Sequence, residues 1–222
     1  MNDSEMNFWG WGYADEAPDE GALREHAEFL EEELGFPERP ILDPVGIDDV
    51  DLSTPGVDLP DHLAEFCTTD KRDRMVHTYG SSRMDYVKAF RGQFENAPDV
   101  VAYPADEEDI TDLLAWATEA NVAVIPYGGG SGLVGGTEGR VGEAYGGVVS
   151  LDLRELNRVL DVDTESQRAL IQGGTFGPDI NDQLAEHGLH LRHYPQSYEF
   201  STLGGGIATR SGGHYATRYT HI

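Results

Sequence analysis

The segment from Pro98 to Gly136 constrains this chain more than any other, because its pattern runs from strand to helix to strand and then into glycine. Val100-Val101-Ala102-Tyr103 is a short apolar run stopped by Pro104, as in a buried strand. Asp106, Glu107, Glu108 and Asp109 then put negative charge where a helix N-terminus favours it. Ile110, Leu113, Leu114 and Ala117 follow at the i, i+3, i+4, i+7 spacing of one helical stripe. Val122 to Ile125 predicts a second buried strand, ending at Pro126. Strand, helix and strand in this order form a βαβ unit, which implies a parallel sheet.

A glycine loop comes next, Gly128-Gly129-Gly130-Ser131-Gly132-Leu133-Val134-Gly135-Gly136. Within it, Gly130 to Gly135 matches G-x-G-x-x-G, but that motif needs a helix to start behind the glycines. Gly136-Thr137-Glu138-Gly139-Arg140-Val141-Gly142 cannot sustain one. A Walker-type loop also fails, since no Lys-Ser or Lys-Thr follows the glycines. What remains is a run of backbone N–H groups able to wrap an anion, with a flexible glycine-tipped hairpin as the competing reading.

Downstream, Val148 to Leu153 reads as a strand, and Val159–Val162 with Ala169–Gln172 as two more, joined by a turn at Asp163 to Ser166. Pro178 to Gly188 predicts a helix with Ile180 and Leu184 inward and Gly188 as its cap. Gly204-Gly205-Gly206 opens a further helix. Upstream lies an aromatic cluster, Phe8-Trp9-Gly10-Trp11-Gly12-Tyr13, and then a helix from Ala22 to Leu34 ended by Gly35. Ile41 to Pro60 reads as a connector, Asp61 to Phe66 as a short helix, and Arg72 to Phe94 as loop and short helix. The expected division is an N-terminal extension over 1–95 and a domain over 96–222.

Charge then narrows the partners. Asp and Glu number 41 against 15 Lys and Arg, a net charge of −26, and the only lysines are Lys71 and Lys88. Such a surface repels phosphate chains and carries no basic stripe, so nucleic acid is not expected as a partner and anionic membranes are disfavoured. Acids spread along the whole chain suit concentrated salt, where the Debye length shrinks to about 3 Å at 1 M and self-repulsion is screened. Lowering the salt is therefore expected to unfold the protein; an unchanged melting temperature at low ionic strength would refute salt adaptation. Cys67 is the one cysteine, which excludes an intrachain disulfide framework, and it reads as a small buried residue. No signal peptide and no membrane span is expected, so the reading is a soluble, cytoplasmic protein.

The motifs carry a resemblance. Val124-Ile125-Pro126-Tyr127-Gly128-Gly129-Gly130-Ser131-Gly132 resembles the first pyrophosphate loop of FAD-linked oxidases with the vanillyl-alcohol-oxidase (PCMH-type) fold. Pro98-Asp99-Val100-Val101 is similar to the opening of that domain, and Ser150-Leu151-Asp152 with Asn157-Arg158-Val159-Leu160 resembles its next strand pair. Pro195-Gln196-Ser197-Tyr198-Glu199-Phe200-Ser201-Thr202-Leu203-Gly204-Gly205, followed by Ala208-Thr209-Arg210-Ser211-Gly212, resembles the second flavin motif. The likeness is closest to the alkyldihydroxyacetonephosphate-synthase-like and D-lactate/glycolate-dehydrogenase-like branch, where Trp9-Gly10-Trp11-Gly12-Tyr13 also has a counterpart.

The resemblance implies an α+β, two-subdomain PCMH-type FAD-binding domain: a βαβ unit plus a second mixed sheet with helices, C-terminally truncated and preceded by a mostly helical or irregular extension. It implies FAD held by Pro126, Tyr127, Gly128, Gly129, Gly130, Ser131 and Gly132 of the first motif. From the second it implies Gln196, Ser197, Tyr198, Glu199, Phe200, Ser201, Thr202, Gly204, Gly205, Thr209, Arg210, Ser211 and Gly212. Ser201, Thr202, Thr209 and Ser211 would supply hydroxyls, and Arg210 a counter-charge to the diphosphate, with a surface salt bridge as its competing role. Some members of the superfamily tether the flavin to a His in the first loop; Tyr127 to Gly136 contains neither His nor Cys, so the flavin is expected to be non-covalent. His187, His190 and His193 straddle Gly188 and do not share a helix face, so no metal is expected. His214 faces either flavin or solvent. No catalytic residue is assigned, because the family's acid–base and substrate residues belong to a later cap domain expected to be missing here. The function implied is the FAD-binding portion of an oxidoreductase acting on a small 2-hydroxy-acid-like substrate. An ether-lipid transferase and a non-catalytic fragment are the alternatives, and a homodimer is left open.

Overall fold

A computed structural model describes residues 5–213, Ala216 and Ile222. Its centre is a four-stranded sheet in the order β1-β2-β4-β3, from β1 (Cys67–Thr68), β2 (Val100–Ala102), β3 (Val122–Tyr127) and β4 (Gly147–Asp152). The β2/β4 and β3/β4 pairs are parallel, and β1 runs antiparallel to β2. The βαβ unit is present, but β4 is inserted between its two strands, so β2 and β3 are not neighbours. That insertion explains the strand character: Val100, Val101, Ala102 and Val149 have no exposed surface because they are covered on both faces. β3 is left at the edge, and it continues through Pro126 to Tyr127 instead of stopping before the proline. An edge strand tolerates the missing N–H that would break a central one.

Four helices come before or between these strands in the chain. α1 (Glu20–Leu34) is capped by Asp19 and ended by Gly35, whose φ of 66° is left-handed. α2 (Lys71–Val76) and α3 (Arg83–Phe90) occupy the stretch expected to be loop and short helix. Each has its own start signal: the Asp70 carboxylate accepts from Arg72 and Asp73 amides, and Ser82 with Asp85 forms a capping box. α4 (Glu107–Glu119) starts on the Asp106 side chain. Its buried stripe is Leu113 and Ala117, with Ile110 and Trp116 packed beside them, whereas Leu114 is exposed. The helix lies on one face of the sheet, so its apolar arc is narrower than the four-residue spacing suggested.

The main core joins β2, β3, β4 and α4 through Val100, Ala102, Leu113, Ala117, Val122, Val149 and Leu151, and it includes Leu63 from upstream. A second cluster, Val50, Met75, Tyr79, Ala89 and Phe94, carries Phe8 and Trp9 on its border. The connector over 41–60 has one turn of 3-10 helix, Ile47–Asp49, and is pinned to the sheet by polar contacts. Asp99 accepts the Gly56 amide at 2.7 Å and the Val148 amide at 2.8 Å, and buried Arg74 donates to the Pro98 and Ser53 carbonyls. β1 thus pairs, from before residue 95, with β2 beyond it. Cys67 packs against the main core, and burial pushes its thiol up to about 12.

The second sheet among the described residues is the antiparallel pair β5 (Val159–Asp163) and β6 (Arg168–Ile171), with a register shift between Val159 and Asp161. α5 (Gly177–Ala185) buries Ile180 and Leu184 as expected, and Gly188 follows with a φ of 68°. α6 (Leu203–Thr209) contains the second run of glycines, starts on the Thr202 side chain and ends at Arg210. No helix among the described residues is long and apolar enough to cross a membrane.

Candidate functional site

The parallel strands deliver the site. In an open α/β sheet, ligands gather beyond the carboxyl ends of the strands. Here β3 ends at Tyr127 and β4 at Asp152, which are paired in register, and Tyr103 directly follows β2. The glycine loop leaves β3 and is held on two sides. On one side the Ser81 amide donates to the Gly132 carbonyl at 2.8 Å, and the Ser81 hydroxyl to the Gly130 carbonyl at 2.9 Å. On the other side lies the second motif. A Cβ on Gly129 would stand 2.0 Å from the Phe200 carbonyl oxygen, and one on Gly128 would stand 2.4 Å from Thr202 Oγ1. The two motifs, about 70 residues apart in sequence, therefore pack backbone to backbone, with Ser131 and Ser201 hydroxyls 3.3 Å apart between them. Glycine is required at 128 and 129 by this contact within the protein, before any ligand is considered.

Among the described residues, the amides of Gly128, Gly129, Gly130, Ser131 and Gly132 donate to no protein acceptor. Next to them opens a cleft of about 380 Å³, lined by Tyr127, Gly128, Gly129, Phe176, Phe200 and Arg154 and rimmed by Asp179, Asp182 and Glu199. Unpaired amides seldom stay so without a ligand or water, and this volume lies within the range of small-molecule sites. The donor set of N–H groups and one guanidinium suits a phosphate-bearing cofactor.

A polar network missed in the sequence underlies the cleft. His77, buried, has Nε2 2.7 Å from Asp152 Oδ2 and Nδ1 2.7 Å from the Asp73 carbonyl oxygen. Arg154 donates through Nε to Asp152 Oδ2 at 2.7 Å, and its backbone amide donates to Oδ1 at 2.9 Å. The Tyr103 hydroxyl donates to Asp73 at 3.0 Å, and the Tyr127 ring lies 4.3 Å from that of His77. Burial alone would raise the Asp152 pKa, but the His77 hydrogen bond and the Arg154 charge override it and hold the carboxyl below its ordinary range. Burial pushes the Tyr127 phenol up, so it stays protonated. One signal in the sequence could have found the centre of this network: Asp152 ends a strand that is otherwise apolar or small, and such a carboxylate is seldom buried without a partner.

The sequence-predicted residues fall into three groups. Tyr127, Gly128, Gly129, Glu199 and Phe200 line the cleft, with Pro126, Gly130, Ser131 and Gly132 beside them on β3 and the loop. Ser197, Tyr198, Ser201 and Thr202 are occupied in holding the second motif together. Ser201 donates to the Ser197 carbonyl, Tyr198 to the Gly177 carbonyl, and Thr202 Oγ1 accepts the Gly205 amide. Gln196 is exposed, and Gly204 packs against Gly173, with its amide 2.7 Å from the Gly173 oxygen. Thr209, Arg210, Ser211 and Gly212 form the third group, at the far end of α6 and away from the cleft lining. There the Thr209 hydroxyl donates to the Gly205 carbonyl, Ser211 contacts His193, and Arg210 is exposed with a φ of 51°. His190 contacts the Tyr194 hydroxyl, and no three His, Cys, Asp or Glu among the described residues converge as metal ligands would. His214 lies outside the described residues.

The N-terminal aromatic cluster closes one wall. Met6 bridges Tyr13, the Trp11 and Phe200 rings stand edge to face at 5.0 Å, and Tyr13 lies 5.4 Å from Phe200. Trp9 packs edge-on against Phe90 of α3 at 5.7 Å. The cluster thus straps α3 to the second motif.

Comparison with known proteins agrees with this geometry. The FAD binding domain family matches residues 98–222. Alkyldihydroxyacetonephosphate synthase of Dictyostelium discoideum is 43% identical over 164 residues, 74% of this chain and 26% of the relative. Glycolate oxidase subunit GlcD of Bacillus subtilis is 29% identical over 160 residues, 68% of this chain and 33% of the relative. A solved alkyldihydroxyacetonephosphate synthase superposes with a TM-score of 0.83 at 31% identity, covering 97% of this chain and 45% of that one. The chain therefore spans about a quarter to a third of the length of these curated relatives.

Proposed function

Because the chain belongs to the FAD binding domain family, we propose that it forms the FAD-binding portion of a flavin-dependent oxidoreductase acting on a small 2-hydroxy acid. FAD is the cofactor, and when bound it supplies the hydride chemistry. The chain's own residues bind and orient it. The unpaired amides of Gly128 to Gly132 carry this reading: a diphosphate oxygen would satisfy what the protein leaves open. Phe176 and Phe200 supply apolar walls, and the glycine loop is held rigid by Ser81 and the second motif. Without His or Cys between Tyr127 and Gly136, the flavin is held non-covalently. Selection of the substrate falls to the length that the relatives have beyond the matched region.

Titrating FAD into the purified chain tests this. Quenched flavin fluorescence is expected, with a stabilisation of about 2.7 kcal/mol at a hundredfold excess over Kd. A colourless protein whose melting temperature ignores FAD would defeat the reading.

A second chemistry has its own support. The aromatic strap, Trp9 to Tyr13, packs onto the second motif, and 97% of the chain superposes on an alkyldihydroxyacetonephosphate synthase. An ether-forming transfer on a ketose phosphate fits that likeness. The two separate on the whole polypeptide: glycolate or D-lactate bleaches the flavin in the first case, and ether forms without net oxidation in the second.

A further inference from the structure

The cleft contains one cation among its described lining residues, and it is not the arginine that the motifs suggested. Arg154 lines it together with Gly128 and Gly129, and the other charges on the lining are Asp179, Asp182 and Glu199. Its placement follows from strand register. Tyr127 pairs with Asp152 and the Leu153 amide donates to the Tyr127 carbonyl at 3.0 Å, so Arg154 and the first glycines leave the sheet at the same end and line one cleft. The guanidinium is oriented: Nε and one terminal nitrogen share Asp152 Oδ2, and Cζ lies 5.6 Å from the centre of the Tyr103 ring. The remaining terminal nitrogen has no hydrogen-bond partner among the described residues, and the side chain keeps 26% of its surface open. Arg210, by contrast, is exposed beyond α6 and absent from the cleft lining.

We propose that Arg154, aimed by the buried Asp152–His77 pair, is the residue that neutralises the cofactor diphosphate held on the Gly128–Gly132 amides. This rests on the FAD-binding reading. A chain with 41 acids against 15 bases cannot hold two phosphates in a carboxylate-rimmed cleft through amides alone without strong repulsion. A guanidinium tied on one edge to a carboxylate and open on the other offers directed N–H donors in the cleft that Gly128 and Gly129 also line. Asp152 and His77 are positioning residues that lock its rotamer.

The test is FAD titration by flavin fluorescence, with ADP as a competitor that carries the diphosphate but no flavin. Arg154→Gln is expected to weaken both FAD and ADP by about 10- to 100-fold, the size of one charge-assisted hydrogen bond. Arg154→Lys should recover part of the loss, and Arg210→Gln should stay within about threefold of wild type. Should Arg154→Gln not fold because Asp152 is left unpaired, Asp152→Asn/Arg154→Gln removes the stranded charge and is expected to show the same loss. In wild-type protein, an arginine-directed dicarbonyl should modify Arg154 more slowly once FAD or ADP is bound, read by peptide mass spectrometry. Undiminished FAD affinity in Arg154→Gln or the double variant, or modification that FAD does not slow, overturns the proposal while leaving FAD binding intact. Absence of FAD uptake by the wild type overturns both.

Discussion

Replacing Asp152 with alanine is expected to cost about 3–5 kcal/mol of folding stability, the penalty for stranding a buried charge by removing its partner. The carboxylate is fully buried and takes Arg154 and His77 on Oδ2, so its loss leaves one guanidinium and one ring nitrogen facing a void. Asp152→Asn keeps the shape and should cost less. Urea denaturation measures the difference, and a loss under about 1 kcal/mol would show that the network is not under tension from both sides. The same residue sets an acid response. Its folded-state pKa lies below the ordinary 3.8, chiefly because the His77 hydrogen bond and Arg154 outweigh burial. Its stabilisation is therefore complete above about pH 4–5 and lost as pH falls through the lower folded value. In Asp152→Asn this acid-sensitive component should vanish, so the curves of stability against pH converge on acidification.

Gly129→Ala is the second large effect. The added methyl would fall 2.0 Å from the Phe200 carbonyl oxygen and 2.9 Å from the Phe176 ring, and a backbone oxygen cannot step aside as a flexible side chain can. Overpacking of this kind costs about 1–3 kcal/mol or more. The two motifs must separate, which displaces the amide row, so FAD affinity should fall at least about tenfold with the melting temperature. Gly136→Ala is the control, since nothing lies within 4 Å of its Cβ position and its stability should hold within about 0.5 kcal/mol. Equal behaviour of the two variants would mean that the loop packing is not what glycine serves at 129.

Much of the scaffold was legible in the chain. The α5 stripe, the glycine that ends α1, the acidic start of α4 and the strand–glycine junction are all local patterns, written within a few residues of where they act. The misreadings are equally physical. The strand was expected to stop at Pro126 because proline ends central strands, and only the strand order reveals an edge where it is harmless. Arg72 to Phe94 was expected only as loop and short helix, without helix bounds, because the six and eight residues of α2 and α3 are too few for a clear period.

The site divides along the same line. Glycine content and its position after a buried strand were enough to point to an anion-wrapping loop, because backbone donors and the absence of Cβ are properties of the residues themselves, and FAD came from the resemblance that the two motifs carry. Which glycines are filled by protein and which face the cleft was not, since Phe200 and Thr202 reach Gly129 and Gly128 from about 70 residues away. His77 meets Asp152 across 75 residues, and Arg154 shares the cleft with Gly128 and Gly129 because parallel register ends β3 and β4 side by side. Such contacts depend on strand order and close packing, which no local pattern encodes. Local residues carried the resemblance that implies the cofactor, and long-range packing decided which side chains share the cleft with the glycines.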